Sequence, residues 1–265
     1  MNDAILLSVD EGMARLTLNR PARLNAFNAD LAHAWRDATA EAVSRTDVDV
    51  ILLDAAGPAF CAGGDVIEMA QTGGGGEAIT ALAEVINSGI RSLTESSVPV
   101  VAAAHGTTAG GGLGILLSSD YAVIGSRSKI GSLYANIGLT PDLSVSAQLA
   151  RAVGQRRALQ LVLQDRLLDA AEAIDWGLAA ESVDGADADA EAEAVRARAE
   201  EIARFWLAGA AAAYGQAKRL VRAQPERPFA EQLADEARTI GAARETADAQ
   251  ARIAAFAAAS ARRPR

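Results

Sequence analysis

The run Ala109-Gly110-Gly111-Gly112-Leu113-Gly114 constrains this chain more than any other segment. Just before it, Pro99 to Ala104 is a short apolar run that predicts a buried strand, and the glycines then predict a turn into a helix. Glycine at such a turn lets bare backbone N–H groups approach a ligand, where the start of a helix favours negative charge. The same run serves equally for close helix–strand packing with no ligand. About thirty residues on, Pro141-Asp142 puts one carboxylate on a loop that can face the same spot. Pro-Asp ahead of Leu143-Ser144-Val145-Ser146 is also a sensible helix start, with Asp142 as its N-cap.

Around these segments strands alternate with helices. Ile5 to Val9, Ala14 to Leu18, Val48 to Leu53 and Tyr121 to Gly125 predict strands, the first two joined by a turn at Asp10-Glu11-Gly12. Asn28 predicts a helix start, and Leu31, Trp35, Ala38 and Ala42 recur on one face. A long helix is predicted from about Glu77 to Leu93, after the four-glycine run Gly73 to Gly76, which predicts a mobile loop. From Leu143 onward the pattern is mostly helical, and Pro225 and Pro228 divide the alanine-rich tail into helices. Strands and helices alternating up to about residue 140, with helices after, imply an α/β core carrying a helical C-terminal portion.

Composition removes several function classes. Lys and Arg number 25 against 34 Asp and Glu, a net charge of -9, which argues against general nucleic-acid binding. A phosphorylated small ligand needs only two or three local arginines and stays open. One cysteine, Cys61, excludes an internal disulfide, and His33 and His105 lack metal-ligand spacing, so no metal site is expected. Met1-Asn2-Asp3-Ala4 lacks the basic and apolar regions of a signal peptide, and no apolar run approaches the ~20 residues that span a bilayer. A soluble cytoplasmic protein without membrane partners is the expectation.

Six phrases and one aspartate follow one another in order: Leu18-Asn19-Arg20-Pro21-Ala22-Arg23-Leu24-Asn25-Ala26, Ala59-Phe60-Cys61-Ala62-Gly63-Gly64-Asp65, Gly106 through Gly112, Asp120, Ile137-Gly138-Leu139-Thr140-Pro141-Asp142, Arg151-Ala152-Val153-Gly154 and Ala173-Ile174-Asp175-Trp176-Gly177-Leu178. Together they resemble the crotonase superfamily, the enoyl-CoA hydratase/isomerase family, strongly over residues 5–185 and weakly over the tail. The resemblance implies a crotonase-type spiral of ββα units, with residues 1–195 as the acyl-CoA-binding core. Residues 196–265 are then a helical region that serves trimerisation and covers the site. It implies a homotrimer or a dimer of trimers, an acyl-CoA thioester as ligand, and no cofactor beyond the coenzyme A that enters with the substrate. It also implies an oxyanion hole built from the backbone N–H groups of Gly64 and Gly111. Such donors hold a thioester enolate, and losing one typically costs on the order of a hundred- to a thousandfold in rate. Contacts to substrate and coenzyme A fall on Arg23, Ala62, Gly64, Asp65, Val66, Tyr134 and Lys218, with Arg23 and Lys218 directed at phosphate.

The resemblance further implies which chemistry is missing. Hydratases of the family use two glutamates, and Gly114 and Tyr134 stand at those positions. A glycine has no side chain and a tyrosine has an unperturbed pKa of about 10, so ordinary hydration is not expected. Gly138-Leu139-Thr140-Pro141-Asp142 matches family members that shift double bonds or isomerise ring epoxides, such as epoxyphenylacetyl-CoA isomerase, with a lone aspartate. Asp142 is then a proton shuttle between the alpha carbon and a carbon two further on. Two alternatives stay open. In chlorobenzoyl-CoA dehalogenase the aligned aspartate is a nucleophile, although the helper histidine of that enzyme aligns with Asn87 here. The chain is otherwise an acyl-CoA-binding protein without chemistry. The family's isomerases tend to have two glycines just after this aspartate; Ser144 and Val145 stand here, which implies a narrower or differently shaped pocket floor. Plainer roles are expected elsewhere: a buried hydrogen bond for His105, solvent for His33, packing for Cys61, a pocket wall for Tyr134, and helix-surface charge for Glu68 and Glu84.

Overall fold

The computed structural model describes residues 3–72, 75–164 and 166–261. Strands β1 (Ile5–Asp10) and β2 (Met13–Leu18) form an antiparallel hairpin. The two residues joining them, Glu11 and Gly12, have φ of 46° and 85°, the positive values of a two-residue type I′ turn. Helix α1 (Ala29–Ser44) starts where Asn28 Oδ1 accepts the Leu31 N–H at 3.0 Å, and it buries Leu31, Ala32, Trp35, Thr39 and Ala42. Strand β3 (Val50–Ala55) is buried at every position, as an interior parallel strand must be. Helices α2 (Val66–Thr72) and α3 (Gly76–Glu95) follow. Of the glycine run expected to form a mobile loop, Gly73 and Gly74 lie outside the described residues, while Gly75 caps α3 and Gly76 begins it.

Strand β4 (Val100–Ala104) leads into β5 (Thr107–Ala109) and α4 (Gly111–Leu117). Next come β6 (Tyr121–Gly125), β7 (Lys129–Gly131), α5 (Ala150–Val153), α6 (Gln155–Gln164), β8 (Leu167–Leu168), α7 (Ala170–Trp176) and β9 (Glu181–Val183). Helices α8 (Ala188–Ala208), α9 (Ala211–Ala223), α10 (Phe229–Arg244) and α11 (Ala247–Ala261) complete the chain. The main sheet has the order β1-β2-β3-β4-β6-β9, parallel from β2 onward, and β5, β7 and β8 make a smaller second sheet. The α/β architecture with a helical C-terminal region is the one the sequence predicts. The chain therefore has three neighbouring parallel strands, β3, β4 and β6, whose C-terminal ends all open toward one side. Crevices at such strand ends are where open parallel sheets place their ligands.

One face of the main sheet is covered by α8: Val195, Ala199 and Ala203 pack on Val50, Leu52, Val101, Ala103 and Val123. The other face holds the larger core, with Leu16, Ile51, Leu53 and Ala102 beneath Phe27, Leu31 and Trp35. An expected division at residues 195 and 196 falls in the middle of α8, whose residues on both sides of it line the same core. The two- and three-residue strands β5, β7, β8 and β9 are too short to have a readable period, and the sequence does not predict them.

The hairpin turn carries a local conflict, because Glu11 holds a left-handed conformation that L-residues other than Gly, Asn and Asp avoid. Its exposed ion pair with Arg204 at 3.6 Å offsets little of this. Glu11→Asn should stabilise the fold by roughly 0.5–1 kcal/mol, read as a higher denaturant midpoint at unchanged slope.

Candidate active site

Three connections converge at the ends of β3, β4 and β6. The first is residues 56–65, after β3. Asn25 anchors it: its buried side chain donates to the Ala56 and Ala59 carbonyls at 2.9 and 2.8 Å, and Cys61 Sγ donates to the Asn25 carbonyl at 3.2 Å. Ala62 N–H donates to Leu24 O, and Gly64 is bridged to Phe27 through Phe27 N–H to Gly63 O and Asp65 N–H to Phe27 O. The second connection is β5 and the glycine run. Cys61 and Ala109 join it to the first through Cys61 N–H to Thr107 O and Ala109 N–H to Cys61 O.

The approach is so close that a Cβ on Gly112 would lie 2.1 Å from the Cys61 carbonyl oxygen. Only glycine fits there. A Cβ on Gly63 would stand 3.3 Å from the Gly111 amide nitrogen. The loop that carries Gly64 is thus brought against Gly111, and neither the Gly64 nor the Gly111 N–H has an acceptor among the described residues. Backbone N–H groups left without a protein acceptor are donors of the kind that can hold an oxygen gaining negative charge.

The third connection runs from β7 through Tyr134 to Asp142. Tyr134 is buried, and its hydroxyl donates to Asp142 Oδ1 at 2.6 Å. The same hydroxyl lies 3.8 Å from where a Cβ on Gly111 would be, so the Tyr134–Asp142 pair stands on the Gly111 side of the glycine run. Burial pushes the Asp142 carboxyl above the usual carboxylate range, while the bond from Tyr134 pulls the other way. Burial and the facing carboxylate push the Tyr134 phenol far up, which keeps it protonated and donating. Asp142 caps no helix: the next helical segment is the π turn Val145–Leu149, whose N-terminal neighbour Ser144 has φ of 66°, and the Asp142 carboxylate faces Tyr134 instead.

Leu143 and Ser144 both take left-handed backbone conformations, with φ of 46° and 66°. The family resemblance directs attention to Ser144 and Val145, but the residues in the conformation that suits glycine are Leu143 and Ser144. Leu143 packs against α4: its Cδ1 lies 2.7 Å from the Cβ position of Gly111, and its carbonyl oxygen lies 2.0 Å from that of Gly114. The expected glutamate position at 114 is therefore occupied by backbone from another loop.

The remaining site candidates divide. Asp65 is buried; its Oδ1 accepts the Glu68 N–H and its Oδ2 accepts from Arg20 Nη2, each at 3.1 Å, which caps α2 and fixes the turn after Gly64. Burial alone would raise its carboxyl, but those two partners outweigh it and the net shift is downward. Arg20, which nothing in its sequence context marks out as a site residue, ties this loop through Asp65. It also donates to the Ala26 carbonyl. Arg23 is exposed next to Leu24, whose carbonyl holds the half-buried Ala62, and Val66 is exposed at the start of α2. These three remain open to solvent and ligand.

Lys218 corrects an expectation. Its buried ammonium pairs with Asp120 at 3.0 Å and donates to the Leu93 and Val98 carbonyls at 2.7 and 2.6 Å. With Arg222, which reaches Asp120 Oδ1 at 2.9 Å, it clasps α9 to the sheet, so its charge is already matched within the protein. Cys61 is buried with its thiol pushed up to about 12 by desolvation, so it packs and does not react. His105 Nε2 donates to the Gly57 carbonyl at 2.7 Å, and burial lowers its pKa. Glu84 is exposed. Glu68 accepts from Asn28 at 3.0 Å and borders a cavity of about 500 Å³. Apolar groups line most of that cavity: Phe27, Met69, Ile79, Leu82 and Val85. Met69 Cε, 2.7 Å from the Cβ position of Gly64, stands between the cavity and the amide pair. A larger hollow of about 680 Å³, under α9, takes in none of Gly64, Gly111, Tyr134 and Asp142. Among the described residues no cluster of His, Cys, Asp or Glu is suited to hold a metal ion.

Residues 8–261 match the enoyl-CoA hydratase/isomerase family. A Rhodobacter capsulatus protein named "Probable enoyl-CoA hydratase" is 33% identical, over 95% of this chain and 94% of its own. The 1,2-epoxyphenylacetyl-CoA isomerase of Escherichia coli is 34% identical, over 69% of this chain and 71% of its own. The crystal structure of a Mycobacterium smegmatis enoyl-CoA hydratase superposes with a TM-score of 0.85, at 26% identity, over 99% of this chain and 98% of its own. The chain belongs to the enoyl-CoA hydratase/isomerase family, within the crotonase superfamily, and is an enzyme of that family.

Because the Leu143 carbonyl fills the place of a side chain at 114, Gly114→Ala should cost about 1–3 kcal/mol through overpacking. Gly114→Glu should cost more and should gain no hydratase activity. Melting midpoints and a hydration assay on the purified variants test both.

Proposed function

We propose that this enzyme isomerises an enoyl-CoA, or a related ring acyl-CoA, by carrying one proton between two carbons of the acyl group. The observation that carries this reading is the Tyr134–Asp142 hydrogen bond beside Gly111, in a site where Gly114 leaves no room for a glutamate. The thioester carbonyl accepts from the Gly64 and Gly111 N–H groups. Asp142 removes a proton at the alpha carbon, the amide pair holds the resulting dienolate, and the protonated Asp142 returns the proton two carbons further on. One carboxyl both accepts and donates, so the step balances without a second group. Hydration has less support here, because Gly114 and Tyr134 stand at the two positions where hydratases of the family carry glutamates.

Burial of Asp142 suits proton transfer in both directions. A carboxyl raised toward the working pH is a stronger base and, once protonated, still an adequate acid. Tyr134 holds Oδ1 and leaves Oδ2 to the substrate. Coenzyme A enters with the acyl group, no other cofactor is required, and Arg23, Ala62 and Val66 are the residues at which it would be received. Solvent-facing Phe229, Leu233 and Ile240 on α10 and Ile253 and Phe256 on α11 support a homotrimer or a dimer of trimers, since a lone chain would leave these apolar side chains in water. Among the described residues no helix is long and apolar enough to cross a membrane, and we assign the enzyme to the cytoplasm.

Turnover of 3-enoyl-CoA thioesters, followed by absorbance of the conjugated product, tests the reading. Asp142→Asn should lower kcat by about a hundred- to ten-thousandfold; full activity in that variant would rule Asp142 out as the proton carrier. Acyl-CoA binding with no turnover by the wild type would favour a binding protein.

Tyr134→Phe gives a second test. The lost O–H bond stabilises the ionised carboxylate, so its removal raises the Asp142 pKa further. The acidic limb of the kcat/KM profile should therefore move to higher pH in Tyr134→Phe, because the base form is needed at the first step. An unmoved limb would separate Tyr134 from the titration.

A further inference from the structure

We infer that Leu143 restricts the acyl group to unbranched aliphatic chains and excludes acyl groups with a ring next to the thioester. This deepens the isomerase reading and rests on it only for where the acyl group lies. A thioester oxygen held by the Gly64 and Gly111 amides puts the first acyl carbons between two apolar side chains. On the Gly111 side stands Leu143, with Cδ1 2.7 Å from the Cβ position of that glycine. On the Gly64 side stands Met69, with Cε 2.7 Å from the corresponding position. These walls differ in how far they can yield.

Leu143 is 4% exposed. Its φ of 46° is costly for a branched L-residue, and its carbonyl is lodged against α4 where Gly114 lacks a side chain. The Asp142 carbonyl accepts the Val145 N–H at 2.9 Å, which closes the turn around it. A side chain fixed at both its backbone neighbours and its packing cannot swing away without moving the loop that carries Asp142. Met69 is the opposite case: an unbranched thioether with three rotatable bonds, which adapts to what it touches. Behind it lies the cavity of about 500 Å³ lined by Phe27, Ile79, Leu82 and Val85. Of these two walls, the one that yields is Met69, and the way past it into the cavity suits a thin, flexible chain. A left-handed residue is easily served by glycine; the leucine found there fills volume that glycine would leave open.

The test is a calorimetric titration with two CoA esters that the proposed proton transfer does not convert, octanoyl-CoA and phenylacetyl-CoA. Wild-type protein should bind octanoyl-CoA at least tenfold more tightly. Leu143→Gly and Leu143→Ala should each reduce that preference by tenfold or more, chiefly by tightening phenylacetyl-CoA. Asp142→Asn should keep the wild-type preference, because it rests on shape; the outcome is thus independent of whether the proton shuttle operates. Two variants guard against loss of folding, and Leu143→Gly should melt no lower than Leu143→Ala, the reverse of the usual order, if the backbone is held in the left-handed region. No preference in the wild type, or one unchanged in both Leu143 variants, overturns the inference.

Discussion

The contact on which the site depends is the Cys61 carbonyl resting on α4 at Gly112. Loops from β3 and β4 can touch backbone to backbone there because one side chain is missing. Hydrogen bonds between Cys61, Thr107 and Ala109 then fix their relative height. This alignment sets the loop of Gly64 against Gly111, so two of the donors the site offers are main-chain N–H groups. Main-chain donors cost no side-chain entropy to hold in place, and in a buried setting they act at close to full strength. Asn25 and Arg20 matter to function for the same reason, although neither touches the proposed ligand.

Much of this was legible. Val50–Ala55 and Val100–Ala104 are apolar almost without a break, which is how strands covered on both faces read, and both are found so. The start of α1 at Asn28 and the closely spaced glycines of α4 were legible because capping and the absence of Cβ are local properties. A common site for Asp142 and Gly111 is implied only by the family resemblance, since nothing in the intervening residues encodes their separation.

What was not legible depends on residues far apart in the chain. Lys218 looks like a cation for phosphate until Asp120, Leu93 and Val98 surround it, and each of those is about a hundred residues away. Charge is a property of the side chain, but direction is a property of the fold. The backbone of Leu143 was equally hidden, because leucine gives no sign of a left-handed conformation and the π turn after it has no sequence period. The short strands β5 and β7 are not legible in the sequence, because their pairing partners, and not their composition, make them strands.

The Leu143 carbonyl seated on Gly114 has a consequence for the history of such a site. A chain that once carried a glutamate at 114 could lose it by one substitution, after which the neighbouring loop was free to settle into the space. Once settled, that loop blocks the return path: restoring the side chain requires the backbone at 143 to withdraw first, and the intermediate would be less stable than either end. The change of chemistry is therefore easy in one direction and obstructed in the other. Packing, with no selection for the new reaction, is enough to make it a ratchet.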